Sequence, residues 1–391
     1  MTPAARVQAA IEILDEVIAS VAEDGPPADV VVTRYFKVRR YAGSKDRRAV
    51  RELVFQAIRR SSQRPASGRA AMLGLVEDDP GLAELFGQPR GPEPIAEGEA
   101  AAPAGIVPAW LSPSLSPLIS TDELPALLER APVDLRINAT RTTREAMLAE
   151  FPDAEPTPLS PWGLRLPPGS KVDDHPAFAS GLVEVQDEGS QLIALACRPA
   201  AGQTIVDLCA GAGGKALALA AAASNEARIV GCDTNRARLS KLTPRVERAG
   251  ATIEIKLLDG GRELQQLSEL QGQADIVLVD APCSGSGTWR RNPEGRWRLT
   301  PGRLDRLVTL QSRLLDIAAP LVKPGGRLVY AVCSLLSREG AVQIQGFISR
   351  HSSWMVEEAP IEAGRPDGAG RLLTPGRDST DGFFVASLIR K

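Results

Sequence analysis

The chain has 391 residues, of which 43% are hydrophobic and 24% charged, and its formal net charge is −2. This length and composition are those of a globular protein of two or three domains, and the charge argues against a protein that coats itself in nucleic acid. The chain has no long apolar stretch and carries acids among its first 20 residues, which predicts a protein without a membrane segment or a secretory signal. Its five cysteines have no metal-ligand spacing, so we expect no bound metal and reduced thiols in a cytoplasmic protein.

Residues 1–86 predict an all-helical module. Apolar residues at 7, 11, 14, 18 and 21 recur every three or four positions, which indicates a helix over 3–22. A second helix is predicted from Ser44, as its cap, to about Arg60, with further helical pieces over 68–86. Between residues 30 and 70 there are twelve Lys/Arg and two acids. Such a cluster either neutralises phosphates or forms a solvated helix face.

A second basic run lies downstream and is open to the same two interpretations. It comprises Arg290, Arg291, Arg296, Arg298, Arg303, Arg306 and Arg313.

The rest of the chain changes character twice. Residues 87–120 are rich in Pro, Gly and Ala, as in a linker that is partly unstructured. Residues 121–185 predict a small α/β subdomain, and strands then alternate with helices through 186–391. The predicted strands are 204–210, 227–233, 252–259, 274–282 and 326–334, with a final edge strand at 381–390; the predicted helices are about 215–223, 235–249, 302–320 and 337–350. This alternation is typical of a doubly wound, mostly parallel sheet.

The first of these strands leads into a glycine-rich turn. Asp207 is followed by Leu-Cys-Ala-Gly-Ala-Gly-Gly-Lys, which lets a ligand approach the backbone closely. The turn matches neither the phosphate-binding G-x-x-x-x-G-K-[ST] pattern nor G-x-G-x-x-G. Acids end the next strands, at Asp233, Asp259 and Asp280, where ribose and base donors are bound in such folds. Carboxylates without a phosphate motif fit the cationic S-adenosylmethionine better than NAD.

Two of the five cysteines lie where a strand gives way to a loop. Cys283 follows Asp280, and Cys333 ends the strand at 326–334, whereas Cys197, Cys209 and Cys232 are interpreted as buried. Carbon 5 of cytosine is a poor nucleophile, and a thiolate added to carbon 6 makes it an enamine that can accept a methyl group. Asp280 is placed to hydrogen-bond the ring, and Lys215 to orient the base that removes the carbon 5 proton or to lower a thiol pKa.

At these residues the chain resembles the RsmB/Sun family of RNA cytosine-5 methyltransferases. The resemblance rests on DLCAGAGGK, DAPCSGSGTWRRNPEGRWRLTP and YAVCS, with VEVQDEGSQLIA, VPAWL and DLRIN outside the site, and covers roughly 105–391. It implies a Rossmann-like S-adenosylmethionine-dependent methyltransferase domain with a small α/β extension, preceded by a diverged NusB-like RNA-binding module. It also implies small-subunit ribosomal RNA as substrate, and we expect a monomer.

The resemblance orders the two thiols: Cys333 is the nucleophile and Cys283 assists its release. It places the cofactor against Cys209, Ala210, Gly211, Ala212, Gly213, Gly214, Lys215, Asp233, Asp259 and Asp280. Two departures stand out, because Gly211-Ala212 replace the usual Ala-Pro and Val332 replaces a threonine.

Three alternatives differ in what they require. A DNA cytosine-5 methyltransferase would use the Pro-Cys at 282–283 as nucleophile and need no second cysteine. A non-catalytic RNA-binding or ribosome-assembly factor on the same fold would not need both thiols, Lys215 and Asp280. A small-molecule methyltransferase would need neither the basic runs nor a helical module.

Overall fold

The computed structural model describes residues 1–391, which form two compact units. The first, called here the helical unit, comprises Met1–Ser114, Leu124–Glu129 and Thr288–Thr300. The second, the sheet unit, comprises Leu115–Glu123, Arg130–Gly287 and Pro301–Lys391. No helix in the chain combines the length and apolar character needed to cross a bilayer.

Four α-helices build most of the helical unit: α1 (Pro3–Ala22), α2 (Ala28–Val38), α3 (Ser44–Arg60) and α4 (Gly68–Asp78). The Thr2 hydroxyl accepts a hydrogen bond from the Ala5 amide, and proline occupies the first position of α1, where no amide is needed. The helices predicted over 3–22, 44–60 and 68–86 are present, while α2 was not predicted. The expected cap is shifted, because Gly43 holds the N-cap position of α3 and Ser44 is its first helical residue.

The segment Thr288–Thr300 completes the core of this unit. Trp297 is only 4% exposed and packs among the buried side chains of the helices, and its indole N–H donates to the Ser61 carbonyl at 2.8 Å. Arg296, which is 1% exposed, donates to the carbonyls of Ile58 and Ile106, both at 2.6 Å. Neither of the two interpretations of the second basic run, phosphate binding or a solvated helix face, holds for Arg296, whose guanidinium is buried and donates to backbone carbonyls.

A small antiparallel sheet of order β2-β3-β1-β4 begins the sheet unit. Its strands are β1 (Val133–Ile137), β2 (Glu155–Pro156), β3 (Gly163–Leu166) and β4 (Val183–Val185), accompanied by α5 (Arg144–Glu150), α6 (Pro176–Ala179) and α7 (Glu188–Ala196). Leu135 and Leu164 face each other across the β1–β3 pair and are fully buried, so this sheet has a core of its own.

A second, larger sheet follows. Its strands are β5 (Thr204–Asp207), β6 (Arg228–Asp233), β7 (Ile253–Leu257), β8 (Ala274–Asp280), β9 (Val322–Val332), β10 (Trp354–Glu357), β11 (Arg365–Asp367), β12 (Gly370–Leu373) and β13 (Phe383–Arg390). Its helices are α8 (Gly214–Ala222), α9 (Arg236–Leu239), α10 (Leu242–Ala249), α11 (Glu263–Gln266), α12 (Pro301–Ala318), α13 (Ala341–Arg350) and α14 (Pro375–Asp378). The order is β11-β12-β13-β9-β8-β5-β6-β7, and β9 through β7 are parallel.

The closing strand corrects one prediction. β13 is not an edge strand, because it pairs antiparallel with β9 on one side and with β12 and β10 on the other. Its residues from Phe383 to Leu388 are all buried, as expected for a strand with neighbours on both sides. The helix predicted over 235–249 is also divided, into α9 and α10, and Pro244 lies in the first turn of α10, where a missing amide costs nothing.

Candidate active site

The carboxyl ends of four neighbouring parallel strands meet at one edge of the large sheet. β5 lies between β8 and β6, so the chain leaves β5 at the point where the strand order reverses. Ligands bind at such switch points in doubly wound sheets. Asp207, Asp233 and Asp280 are the last residues of β5, β6 and β8, and Cys333 directly follows β9.

The glycine-rich turn packs against the end of β6. Gly211 and Gly213 have φ of +54° and +86°, which glycine adopts without a Cβ clash. A Cβ on Gly213 would require the end of the Leu242 side chain to move, and the positive φ would strain any residue other than glycine. The Gly211 amide donates to Asp233 Oδ2 at 2.8 Å, and the Asn235 amide donates to Asp233 Oδ1 at 2.7 Å. These contacts fix the Asp233 carboxylate beside the turn.

Asp259 is in a different environment from the other predicted acids. It lies past the end of β7 and is exposed, with its carboxylate accepting from the Gln266 side-chain amide at 3.2 Å. Its own amide donates to Gln266 Oε1 at 2.7 Å. These contacts hold the loop after β7, and the role of Asp259 in binding an adenine stays a prediction.

Lys215 and Asp280 form an ion pair, with Nζ and Oδ2 separated by 2.7 Å. Burial by itself would lower the pKa of Lys215, but the adjacent Asp280 carboxylate outweighs it and the pKa is raised. The ammonium therefore stays charged. The Lys215 side chain is 11% exposed and the Asp280 side chain 29%, so the carboxylate is the more accessible partner.

Asp207 is a buried acid whose part in the site the sequence did not indicate. Burial, followed by the negative charge of Asp280, raises the pKa of Asp207 from 3.8 to about 7. At a pH between these two pKa values, Asp207 is protonated in the folded chain and ionised in the unfolded chain. The free energy of unfolding therefore falls as the pH rises through this range.

We expect Asp207→Asn to remove that pH dependence. Relative to the variant, the wild-type chain should lose up to about 4 kcal/mol of stability from about pH 4 to about pH 7 and change little above that. Denaturant unfolding of both chains across this range measures the difference. If the difference in the free energy of unfolding between the wild-type chain and the variant stays constant across this pH range, Asp207 is ionised in the folded chain at every pH within it.

The two predicted cysteines are neighbours. Cys283 Sγ and Cys333 Sγ are 3.4 Å apart, a hydrogen-bond distance rather than the roughly 2.05 Å of a disulfide, and both thiols are free. The hydrogen bond to Cys333, together with burial, raises the pKa of Cys283 well above its ordinary value. Cys283 therefore stays protonated and can donate its S–H to the Cys333 sulfur.

A buried carboxylate joins the two loops that carry these thiols. Glu339 is fully buried and accepts hydrogen bonds from the Ser284 amide at 2.9 Å and from the Ser334 hydroxyl at 2.5 Å. The Gln311 side-chain amide donates both to Glu339 and to the Pro282 carbonyl, each at 2.9 Å. Because Ser284 and Ser334 each follow a cysteine directly, these bonds set the separation of the thiols.

Comparison with known proteins identifies the family. The model of the family described as 16S rRNA methyltransferase RsmB/F matches residues 194–389, which is half of the chain. The chain belongs to this family. A similar curated protein, "Ribosomal RNA small subunit methyltransferase B" of Salmonella arizonae, is 38% identical over 267 residues, and the match covers 67% of this chain and 61% of that protein.

Solved structures share the fold of this RsmB/F family member. "Crystal Structure of PH0851" superposes with a TM-score of 0.78 at 24% identity, covering 100% of this chain and 99% of that one. NSun6 from Pyrococcus horikoshii, solved with SFG, gives a TM-score of 0.61 at 20% identity and covers 68% of this chain and 92% of that one. The predicted Rossmann-like fold with a helical N-terminal region is confirmed.

The structure of this RsmB/F family member brings together most of the residues singled out in the sequence. Cys283 contacts Cys333, Lys215 contacts Asp280, and the turn at 209–214 contacts Asp233. Glu339 was missed because it lies in the polar segment between β9 and α13, where only the fold shows that an acid is buried.

Proposed function

We propose that this chain transfers a methyl group from S-adenosylmethionine to carbon 5 of a cytosine in small-subunit ribosomal RNA. The observation that carries the proposal is the pair of free thiols, 3.4 Å apart, at the carboxyl ends of β8 and β9. Family membership and the name of the Salmonella relative support an RNA substrate. The chain aligns with only 61% of that relative's length, so its activity is proposed here and not transferred from it.

The residues at the switch point fit the methyl donor. The turn at 209–214 carries only small side chains, and the buried Asp233 carboxylate lies beside it. We assign to these residues, with Asp259 and Asp280, the binding of S-adenosylmethionine, which supplies the methyl group as an electrophile on a sulfonium. NSun6, a structural neighbour, was solved with SFG, an analogue of that cofactor.

The chemistry assigned to the thiols is covalent catalysis. The Cys333 thiolate adds to carbon 6 of the cytosine, which forms an S–C bond and moves the electron pair of the 5,6 double bond toward carbon 5. Asp280, oriented by Lys215, hydrogen-bonds the ring edge as charge develops there. After carbon 5 has taken the methyl group, a base removes its proton, the double bond re-forms and the thiolate leaves. The Cys283 S–H donates to the departing sulfur and stabilises its charge.

Sequencing of bisulfite-treated ribosomal RNA tests the function. In the source cell, deleting the gene should remove one or more 5-methylcytosines from small-subunit RNA, and the wild-type gene should restore them. A gene carrying Cys333→Ala is the matched control and should not restore them. An unchanged methylation pattern after deletion would contradict the proposal.

Glu339 is expected to act as a positioning residue for this reaction. Glu339→Ala removes the acceptor shared by the buried donors of Ser284, Ser334 and Gln311, and each donor that finds no other partner costs about 1–3 kcal/mol. We expect kcat to fall about 10- to 1000-fold with little change in KM for RNA, and Glu339→Gln, which keeps one acceptor oxygen, to recover part of the loss. Steady-state kinetics of both variants check this. An equal loss in kcat and in folded fraction for both would indicate that Glu339 serves stability alone.

A further inference from the structure

A surface pocket of about 440 Å³ lies on the helical unit. It is formed by one face of α1 and by residues at and after the end of α2, and its lining includes Ala5, Gln8, Glu12, Tyr35, Tyr41 and Arg90. The family resemblance implies only that the helical module binds RNA, and neither it nor the reaction proposed above assigns this pocket a role.

Tyr41 gives the pocket an exposed aromatic wall. Its side chain is 74% exposed, in the turn between α2 and α3, and Val38 beside it is 77% exposed. Tyr35, in contrast, is 3% exposed and its hydroxyl donates to Glu12 Oε2 at 2.6 Å. The Arg39 guanidinium covers the Tyr35 ring, 3.5 Å from its centroid. Only the Tyr41 ring is therefore available to a stacking partner.

Polar groups lie on the other side of the same pocket. Gln8 Nε2 donates to Glu12 Oε1 at 3.2 Å, and the Glu12 side chain remains 41% exposed. An exposed carboxylate and amide side by side offer an acceptor and a donor to the edge of a planar, polar ligand. A purely apolar ligand would leave these groups desolvated without partners.

The segment of the chain that carries Tyr41 is strongly basic. Exposed basic residues lie on the last turns of α2, in the turn between α2 and α3, and on the first turns of α3. They are Arg34, Lys37, Arg40, Lys45 and Arg48, and none of them forms an ion pair. Basic side chains without an ion pair match the backbone phosphates of single-stranded nucleic acid, and the exposed aromatic ring near them in the chain matches the face of a nucleobase.

We propose that this pocket binds one unpaired nucleotide of the RNA substrate, with its base stacked on Tyr41 and its edge facing Gln8 and Glu12. The flanking phosphates lie against the basic side chains of α2 and α3. The proposal deepens the function given above and rests on it for the identity of the nucleic acid as RNA. Stacking on an aromatic ring tolerates every base, so we expect recognition of an unpaired nucleotide rather than of one sequence.

Binding of fluorescently labelled RNA by the full chain tests the pocket. Tyr41→Ala should weaken binding of an unstructured RNA of about 12 nucleotides by about tenfold and leave binding of a duplex of the same length unchanged. Tyr41→Phe keeps the ring and should bind like the wild-type chain. Because Tyr41 is exposed, the thermal melting of both variants should match that of the wild-type chain.

A second variant separates the phosphate contacts from stacking. Lys37→Ala should weaken binding of single-stranded and duplex RNA alike and make the dependence of log affinity on log salt shallower by about one. If Tyr41→Ala leaves single-stranded binding unchanged, or weakens duplex binding equally, the pocket does not hold a nucleotide. A peptide or other protein as its true occupant would give this same negative result.

Kinetics distinguish failure of this inference from failure of the proposed function. With an unmethylated RNA substrate, Tyr41→Ala should raise KM about tenfold and leave kcat unchanged, since Tyr41 belongs to the helical unit and the thiols to the sheet unit. If wild-type chain binds RNA through Tyr41 but transfers no methyl group, the pocket stands and the enzymatic proposal falls. If methyl transfer proceeds with the same KM in both chains, the pocket proposal falls and the enzyme stands.

Discussion

Cys333→Ala is expected to lower methyl transfer by at least about a thousandfold and to leave no protein–RNA adduct, because the variant has no thiolate to add to carbon 6. Incorporation of a labelled methyl group into RNA measures the loss, and a denaturing gel detects any adduct. Cys197→Ala is a suitable control, since Cys197 is fully buried in the core of the sheet unit and its thiol donates to the Ile193 carbonyl. It should retain methyl transfer.

Cys283→Ala should behave differently. It keeps the nucleophile but loses the S–H group 3.4 Å from the Cys333 sulfur, so addition to the ring proceeds and release is slowed. We expect a covalent adduct to accumulate that resists denaturation and disappears in the double variant with Cys333→Ala. An adduct formed by Cys333→Ala instead would reverse the assignment of the two thiols.

Trp297→Ala should destabilise the helical unit by about 3–5 kcal/mol. The indole is 4% exposed within the core of that unit, and the hydrogen bond that its N–H donates to the Ser61 carbonyl would also be lost. Trp297→Phe keeps most of the buried ring and should cost less. Chemical denaturation followed by helical circular dichroism reports the change, with the transition of the helical unit fitted separately from that of the sheet unit.

A second tryptophan of the same unit provides the control. Trp110 is 37% exposed, so Trp110→Ala should change stability by no more than about 1 kcal/mol. Equal destabilisation by the two substitutions would mean that the burial of Trp297 contributes nothing specific to the helical unit.

The sequence predicted the parallel strands β5, β6, β8 and β9 well because each contains a short apolar run that is buried on both faces. β8 and β9 show this pattern, and their ends place Cys283 and Cys333 beside each other as expected. The same pattern applies to β13, where an apolar run from Phe383 to Leu388, interrupted only by Ser387, indicates a strand with two neighbours rather than an edge.

Other features depend on contacts between residues far apart in the chain. Arginines look alike in sequence whether they face phosphates or, like Arg296, donate to backbone carbonyls 190 and 238 residues before them. Glu339 likewise gives no sign of burial until the loops after β8 and β9 are placed together. Asp207 was seen only as the end of a strand, because its raised pKa follows from its distance to Asp280 and from its burial.

The segment Thr288–Thr300 has a consequence for the order in which the protein acquires its structure during synthesis. The four N-terminal helices leave the ribosome first, yet Trp297 and Arg296, which fill and hydrogen-bond their core, are made after the strands β1 to β8. Until then α1 to α4 can collapse only partially, with an apolar gap where the indole belongs. The nascent helical unit is therefore a species that chaperones would bind, and its final packing depends on contacts of very high sequence separation, which form slowly.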